Sequence, residues 1–370
     1  MSGKLEKMCF ACIFPTQERG HVHKEQGMSS FGRSRDFLVY LAVLIPYQAI
    51  RLMPYPVVKG MARLCGGTMN LIPSIRNLVR ANIRTAFPEY SETEVARVGS
   101  RSLYNLALNM AEFIWLNGRP DRIERCYFLP PDVTERLKGH VARKERIIFV
   151  NPHLGSWEAS GVMAPYYAGV DMVAIAKPVR NPYLNKMINS GNREKVRGLE
   201  IIFSSGAIRA ATKALRDGRG VGTLIDQNTR VRDGGSFVNF FGLPVSSSTA
   251  PAHLMKYCIA HEIPAVIIYG TSVRHEDGRV HAHSAYLPKP FSEYGDETEV
   301  LQDLMNISEE YIRRYPDQYL WFYRRFQNIE PTCPEELKKR YPYYSKVVGP
   351  HFYRKTSRDI KAEKAERRQP

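Results

Sequence analysis

A histidine and a glutamate five positions apart, His153 and Glu158, follow directly on the apolar run Ile147-Ile148-Phe149-Val150 and the pair Asn151-Pro152. Imidazole is the side chain best suited to take a proton near neutral pH, and a carboxylate on its second ring nitrogen fixes the tautomer and stabilises the imidazolium. The spacing predicts that the two meet, with His153 on a strand-end loop and Glu158 in the first turn of the helix that follows. Gly155 between them lets the backbone turn sharply and leaves room for a substrate. Chemically this is a Ser-His-Asp arrangement without its serine. No serine or cysteine nucleophile accompanies the pair, so the attacking hydroxyl must belong to a substrate and the reaction is a group transfer. A metal is not expected here, because positions i and i+5 do not share a helical face and no second His or Cys cluster is close in sequence.

The elements that must hold this pair are legible in the periodicity. Residues 147–150, 172–176, 200–203, 221–225 and 265–269 are short apolar runs rich in β-branched residues, separated by helical patterns over 156–168, 182–191, 206–217 and 249–261. That alternation predicts an α/β fold with a largely parallel twisted sheet flanked by helices, and in such sheets ligands bind at the carboxyl ends of strands. Two strand ends carry suggestive chemistry: His153 after the first strand, and Asp226-Gln227-Asn228 after the fourth. Upstream, 73–117 reads as an all-helical approach segment with a capping-box start at Ser91-Glu92-Thr93-Glu94. A further helix is expected over 133–142 and a late one over 296–314.

The chain has 370 residues and a formal net charge of +16, which implies an anionic partner: nucleic acid, an anionic membrane surface, a phosphorylated lipid or an acidic carrier protein. Residues 1–27 are polar and without apolar periodicity, so they are expected to be disordered or a mis-assigned extension, with Met28 as a second possible start. The six cysteines are read as reduced thiols; a zinc site built on Cys9 and Cys12 with His21 and His23 is a thin alternative. Residues 37–50 form the most apolar run. As a helix they would be roughly 21 Å long, against a hydrocarbon core of roughly 30 Å, so this run is expected to lie in or dip into a membrane interface, with Arg33 and Arg35 at the lipid headgroups. A full span continued through residue 58 is one alternative, and a core helix of a soluble protein is the plainer one. The expected organisation is therefore a membrane-anchoring helical segment over 28–60, a catalytic domain over 61–330, and a basic, solvated tail over 331–370.

From about Arg76 to Phe326 the sequence resembles the late lipid A acyltransferases of the bacterial lysophospholipid acyltransferase superfamily, the enzymes that add secondary lauroyl and myristoyl chains. The family pattern His-x-Gly-Asn-Trp-Glu is matched by His153-Leu154-Gly155-Ser156-Trp157-Glu158, with serine where asparagine is usual. Asn82 to Glu89 is similar to the family's Asn-Leu-x-x-Ala-Phe-Pro-Glu. Ala176 to Pro182 corresponds to Tyr-Arg-Pro-x-x-Asn-Pro, with Lys177 in place of an arginine. Asp226-Gln227, Phe240 to Pro244 and Thr249 to Ala252 follow in family order, and Tyr319 to Phe326 matches the Trp-x-Trp-x-His-x-Arg ending loosely.

The resemblance implies that His153, supported by Glu158, deprotonates a hydroxyl of a 3-hydroxyacyl chain on a glycolipid acceptor. That hydroxyl then attacks an acyl thioester on acyl carrier protein or CoA, and no resident cofactor is expected. Lys177 is the candidate for the oxyanion or for an acceptor phosphate. Asp226 and Gln227 are candidates to orient Arg180, Arg230 or an acceptor sugar, the plain alternative being an aspartate that caps its loop. Arg324 and Arg325 are read as facing the bilayer surface, with phosphates as the alternative, and Phe240-Phe241 as an acyl-channel lining or ordinary packing. The implied partners are acyl carrier protein, an anionic glycolipid and membrane lipid, at the cytoplasmic face of a bacterial inner membrane. A mannosylated phosphoinositide or a lysophospholipid is the alternative acceptor. A non-catalytic basic membrane or nucleic-acid binder is the alternative class, although no nucleic-acid-binding signature accompanies the charge.

Overall fold

A computed structural model describes residues 30–203 and 206–354. The expectations for 1–27, for Met28, for Cys9 and Cys12, and for the end of the tail from 355 lie outside these residues.

Among the described residues four helices come first: α1 (Ser30–Leu52), α2 (Tyr55–Leu71), α3 (Pro73–Ala86) and α4 (Glu92–Leu116). The capping box read from sequence is present: the Ser91 side chain accepts from the Glu94 backbone N–H, and Glu94 reaches back to the Ser91 N–H. No helix among the described residues is long and apolar enough to cross a membrane. Instead, Leu38, Leu41, Ile45 and Leu52 on α1 stand exposed at heptad-like spacing, as do Val57, Met61, Leu64 and Leu71 on α2. Such a stripe ordinarily faces a core; here it faces outward.

After α5 (Pro120–Cys126) the chain enters the α/β layer. Its strands are β1 (Tyr127–Phe128), β2 (Arg146–Asn151), β3 (Met172–Ala176), β4 (Leu199–Phe203), β5 (Gly220–Leu224), β8 (Ala265–Arg274) and β9 (Val280–Tyr286). They form one seven-stranded sheet in the order β1-β9-β8-β2-β5-β3-β4. Every pairing is parallel except β8 with β9. Helices α6 (Pro131–Ala142), α7 (Trp157–Ala168), α8 (Pro182–Ile188), α9 (Ala207–Arg216), α10 (Ala250–Ala260) and α11 (Glu297–Arg314) cover its faces. Strand residues alternate between two cores as the pleat requires. Ile148, Val150 and Tyr269 point into one, and Ile147, Phe149 and Ile268 into the other.

The sequence reading missed β9 and the hairpin β6 (Gly235–Phe240) with β7 (Leu243–Ser248), which pair antiparallel apart from the main sheet. It also misjudged the chain beyond Pro331. Residues 331–354 are not a solvated tail: β10 (Asn328–Ile329) pairs with β11 (Lys346–Val347), beyond the short α12 (Glu335–Lys338), and Tyr341, Tyr344 and Phe352 are buried. Three buried aromatics suffice to anchor a segment whose remaining residues are polar.

Candidate active site

The site forms where β2 and β5 end side by side. Their register pairs Asn151 with Leu224, so the residues two positions on, His153 and Asp226, come out adjacent although 73 positions separate them in sequence. His153 Nδ1 lies 2.6 Å from Asp226 Oδ1, and the His153 backbone N–H donates to Asp226 Oδ2 at 2.7 Å. The carboxylate thus grips both ring and main chain. Burial by itself would raise the Asp226 pKa; the facing His153 charge and its two hydrogen bonds outweigh that and hold the carboxyl below its ordinary range. With Asp226 accepting, Nδ1 carries the proton and Nε2 presents its lone pair.

Gln227 stands on that second nitrogen, its Nε2 3.2 Å from His153 Nε2. Lys177 Nζ donates to Gln227 Oε1 at 3.2 Å, which turns the amide so that its NH2 faces the imidazole. The lysine is solvent-accessible, while the protein around its ammonium lowers its pKa by desolvation. Trp157 is half-buried with its ring 5.1 Å from the His153 ring, so it walls the site as well as packing on the core.

The histidine loop is clamped on three sides. Gly155 N–H donates to Gln318 O at 2.9 Å, Ser156 N–H to Ser272 O at 2.7 Å, and Asn109 Nδ2 on α4 to Gly155 O at 2.7 Å. Behind Asp226 lie the buried Tyr319 phenol and Arg325. Arg325 is 1% exposed and donates to Asn228 Oδ1, Ser246 O and the Ser247 hydroxyl. The membrane-facing role expected of Arg325 is therefore corrected: a guanidinium with this many acceptors is held inside. Arg324 is exposed. Asn82 fastens the same segment, donating to Trp321 O and Tyr323 O at 2.7 and 2.9 Å while accepting from the Tyr344 hydroxyl. Phe240 and Phe241 pack against Phe87, Trp321 and Phe326 with full burial, so they are core and not a channel lining.

Glu158 does not take the place the spacing gave it. It sits in the first turn of α7 and makes a two-pronged pair with Arg193. No hydrogen bond joins it to His153 among the described residues. The reason is that the sheet delivers a carboxylate along the neighbouring strand, directly in line with Nδ1, while the helix turns Glu158 toward the 189–195 loop. Arg193, anchored also on Asn189 Oδ1 at 2.7 Å, is a residue that sequence reasoning missed. The roles offered for Asp226 and Gln227 change in the same way. Arg230 is held by Asp233 Oδ2 at 2.7 Å, and Arg180 is exposed without a hydrogen bond or ion pair among the described residues; neither is oriented by Asp226. Asp226, Gln227 and Lys177 instead form one chain of contacts with His153.

Residues 27–328 match the family model described as bacterial lipid A biosynthesis acyltransferase. The chain belongs to this family. It is similar to a lipid A biosynthesis acyltransferase of Haemophilus influenzae, 22% identical over 311 residues that cover 81% of this chain and 92% of the relative. It is likewise similar to two Escherichia coli proteins. One is a lipid A biosynthesis lauroyltransferase, 23% identical with 83% of this chain and 95% of the relative covered; the other is a palmitoleoyltransferase, 24% identical with 74% and 86% covered. The chain is thus an acyltransferase of the lipid A biosynthesis family. The stretches carrying the resemblance are joined in space: Asp226-Gln227 meet the His153 imidazole, the Leu320 backbone N–H donates to His153 O, and Asn82 fastens that same 319–326 segment.

Proposed function

We propose that this acyltransferase moves a fatty acyl chain from the thioester of an acyl carrier protein to a hydroxyl of a lipid A precursor, with His153 as general base and Asp226 as the carboxylate that orients it. The observation that carries the reading is the His153–Asp226 contact at 2.6 Å, which leaves the Nε2 lone pair as the proton acceptor, held in this structure by the Gln227 amide.

In the reaction, the acceptor hydroxyl takes the place of the Gln227 amide at Nε2 and gives up its proton there as its oxygen attacks the thioester carbon. The tetrahedral intermediate collapses by breaking the C–S bond. The departing sulfur takes the proton from the imidazolium, so an ester and a free thiol result and the histidine is regenerated. Asp226 stays ionised throughout and stabilises the transient imidazolium. Gln227 and Lys177, linked to each other and to the base, are the polar groups nearest the reacting carbonyl and serve the oxyanion.

The exposed apolar stripes of α1 and α2, beside a chain of net charge +16, support seating at the cytoplasmic face of an inner membrane, where a glycolipid acceptor resides. The transfer itself is tested with purified full-length protein, an acyl carrier protein thioester and a lipid A precursor lacking its secondary chains. The expected product is the mono-acylated acceptor with stoichiometric free thiol. Thiol release without acceptor acylation, or no thioester consumption at all, contradicts the proposal.

A further inference from the structure

At the foot of the exposed stripes, where α1 gives way to α2, lies a cavity of about 380 Å³. Its walls include Arg119, Arg122 and Arg125 on and beside α5, with Arg122 over the ring of Trp115 and Arg125 over that of Tyr55. Leu52 and Met53 form its rim, and Leu52 is 83% exposed. The cavity therefore opens where the apolar surface ends.

Its charge is unbalanced. Asp121 is the one acid among the lining residues, and it is already held by Arg119 at 3.0 and 3.1 Å. Among the described residues no carboxylate pairs with Arg122, Arg125 or the neighbouring Arg51. Arg122 is fixed by one nitrogen, which donates to Arg51 O at 2.9 Å and to Trp115 O, so its remaining N–H groups are free to meet a ligand. Burial, and then the charges of Arg119 and Arg51, draw its pKa down. An anion entering the cavity relieves that crowding.

The geometry points to a binding site for the phosphate of an anionic phospholipid, with the arginines on the phosphate and the acyl chains laid along the stripes of α1 and α2. Arginine's planar fork suits a phosphate, and indole and phenol rings favour the boundary between headgroup and hydrocarbon. The site stands apart from the His153 centre and rests on the membrane seating proposed above. Its occupant is bulk bilayer lipid, which anchors and orients the enzyme.

The test is co-sedimentation of the full chain with phosphatidylcholine vesicles, with and without phosphatidylglycerol. Wild type is expected to prefer the anionic vesicles. The double variant Arg119→Gln/Arg125→Gln, on exposed side chains, is expected to lose roughly twenty-five-fold of that preference, about five-fold per charge. It should keep its binding to phosphatidylcholine and its acyl transfer in detergent. Arg209→Gln/Arg216→Gln, which removes two exposed charges from α9, is expected to lose far less. An equal loss in that control, or an unchanged preference in the cavity variant, overturns the site. Displacement by glycerol phosphate at matched concentration would assign it to a free phosphate compound and overturn the lipid. Failure of wild type to bind either vesicle would count against the membrane seating, a different outcome from loss of headgroup preference alone.

Discussion

Asp226→Asn is expected to lower kcat by roughly 10³ to 10⁴ while leaving the fold in place, the scale seen when a base histidine loses its orienting carboxylate. Both carboxylate oxygens are used: Oδ1 by the ring and Oδ2 by the His153 backbone N–H. An asparagine has one acceptor and one donor for two donors. If its NH2 turns to the ring, the imidazole must carry its proton on Nε2 and ceases to be a base. If it turns to the backbone, the loop loses its anchor. KM for the thioester should change little, because both oxygens are taken up by His153. The same carboxylate sets an acid limit. Its pKa is depressed in the fold, so the stability it contributes is complete above the ordinary aspartate range and is lost as pH falls through the lowered value. Thermal melts of wild type should weaken in that acid window more than those of the variant.

Gly155→Ala is expected to be the most damaging small substitution in the chain. Gly155 has φ +62°, and a Cβ there would stand 2.0 Å from Ser272 O, 2.8 Å from Ser272 C and 2.9 Å from Val273 Cα. All three are backbone atoms of β8, a strand paired on both sides, so none can yield as a side chain tip would. The left-handed backbone adds about 1–3 kcal/mol and the overlap a similar amount, for a total on the order of 4 kcal/mol. At about 2–4 °C per kcal/mol, a melting point lower by roughly 10 °C is expected. Activity should fall further than stability accounts for, because relief of the clash swings the 153–156 loop away from Asp226. Circular dichroism melts and a transfer assay below the melting point separate the two effects.

What the sequence made legible was local. The alternation of β-branched runs with helical stripes, the box at Ser91 and Glu94, and the strand-end placement of His153 each depend on residues within a turn or two of one another. The partner of His153 does not. Asp226 was visible as a polar residue at a strand end, yet joining it to His153 requires knowing that β5 lies beside β2 while β3 and β4, though nearer in sequence, lie farther out. Without that order, Glu158 was the only carboxylate within reach, and the helix that carries it turns it to Arg193 instead. Arg325 misled for the opposite reason: two adjacent arginines in a polar stretch read as surface, and the hairpin β6–β7, itself missed, supplies two of the three acceptors that hold one of them inside, Asn228 being the third. Beyond Pro331, composition was dominated by charged residues while Tyr341, Tyr344 and Phe352 decided the packing.

The carboxylate on His153 Nδ1 belongs to Asp226. Proton NMR of the imidazole N–H region, with histidine nitrogen labelled and His153 assigned by its alanine variant, reads this directly. A strongly downfield Nδ1 proton is expected that persists in Glu158→Gln and disappears in Asp226→Asn. A signal lost in Glu158→Gln and retained in Asp226→Asn would contradict it.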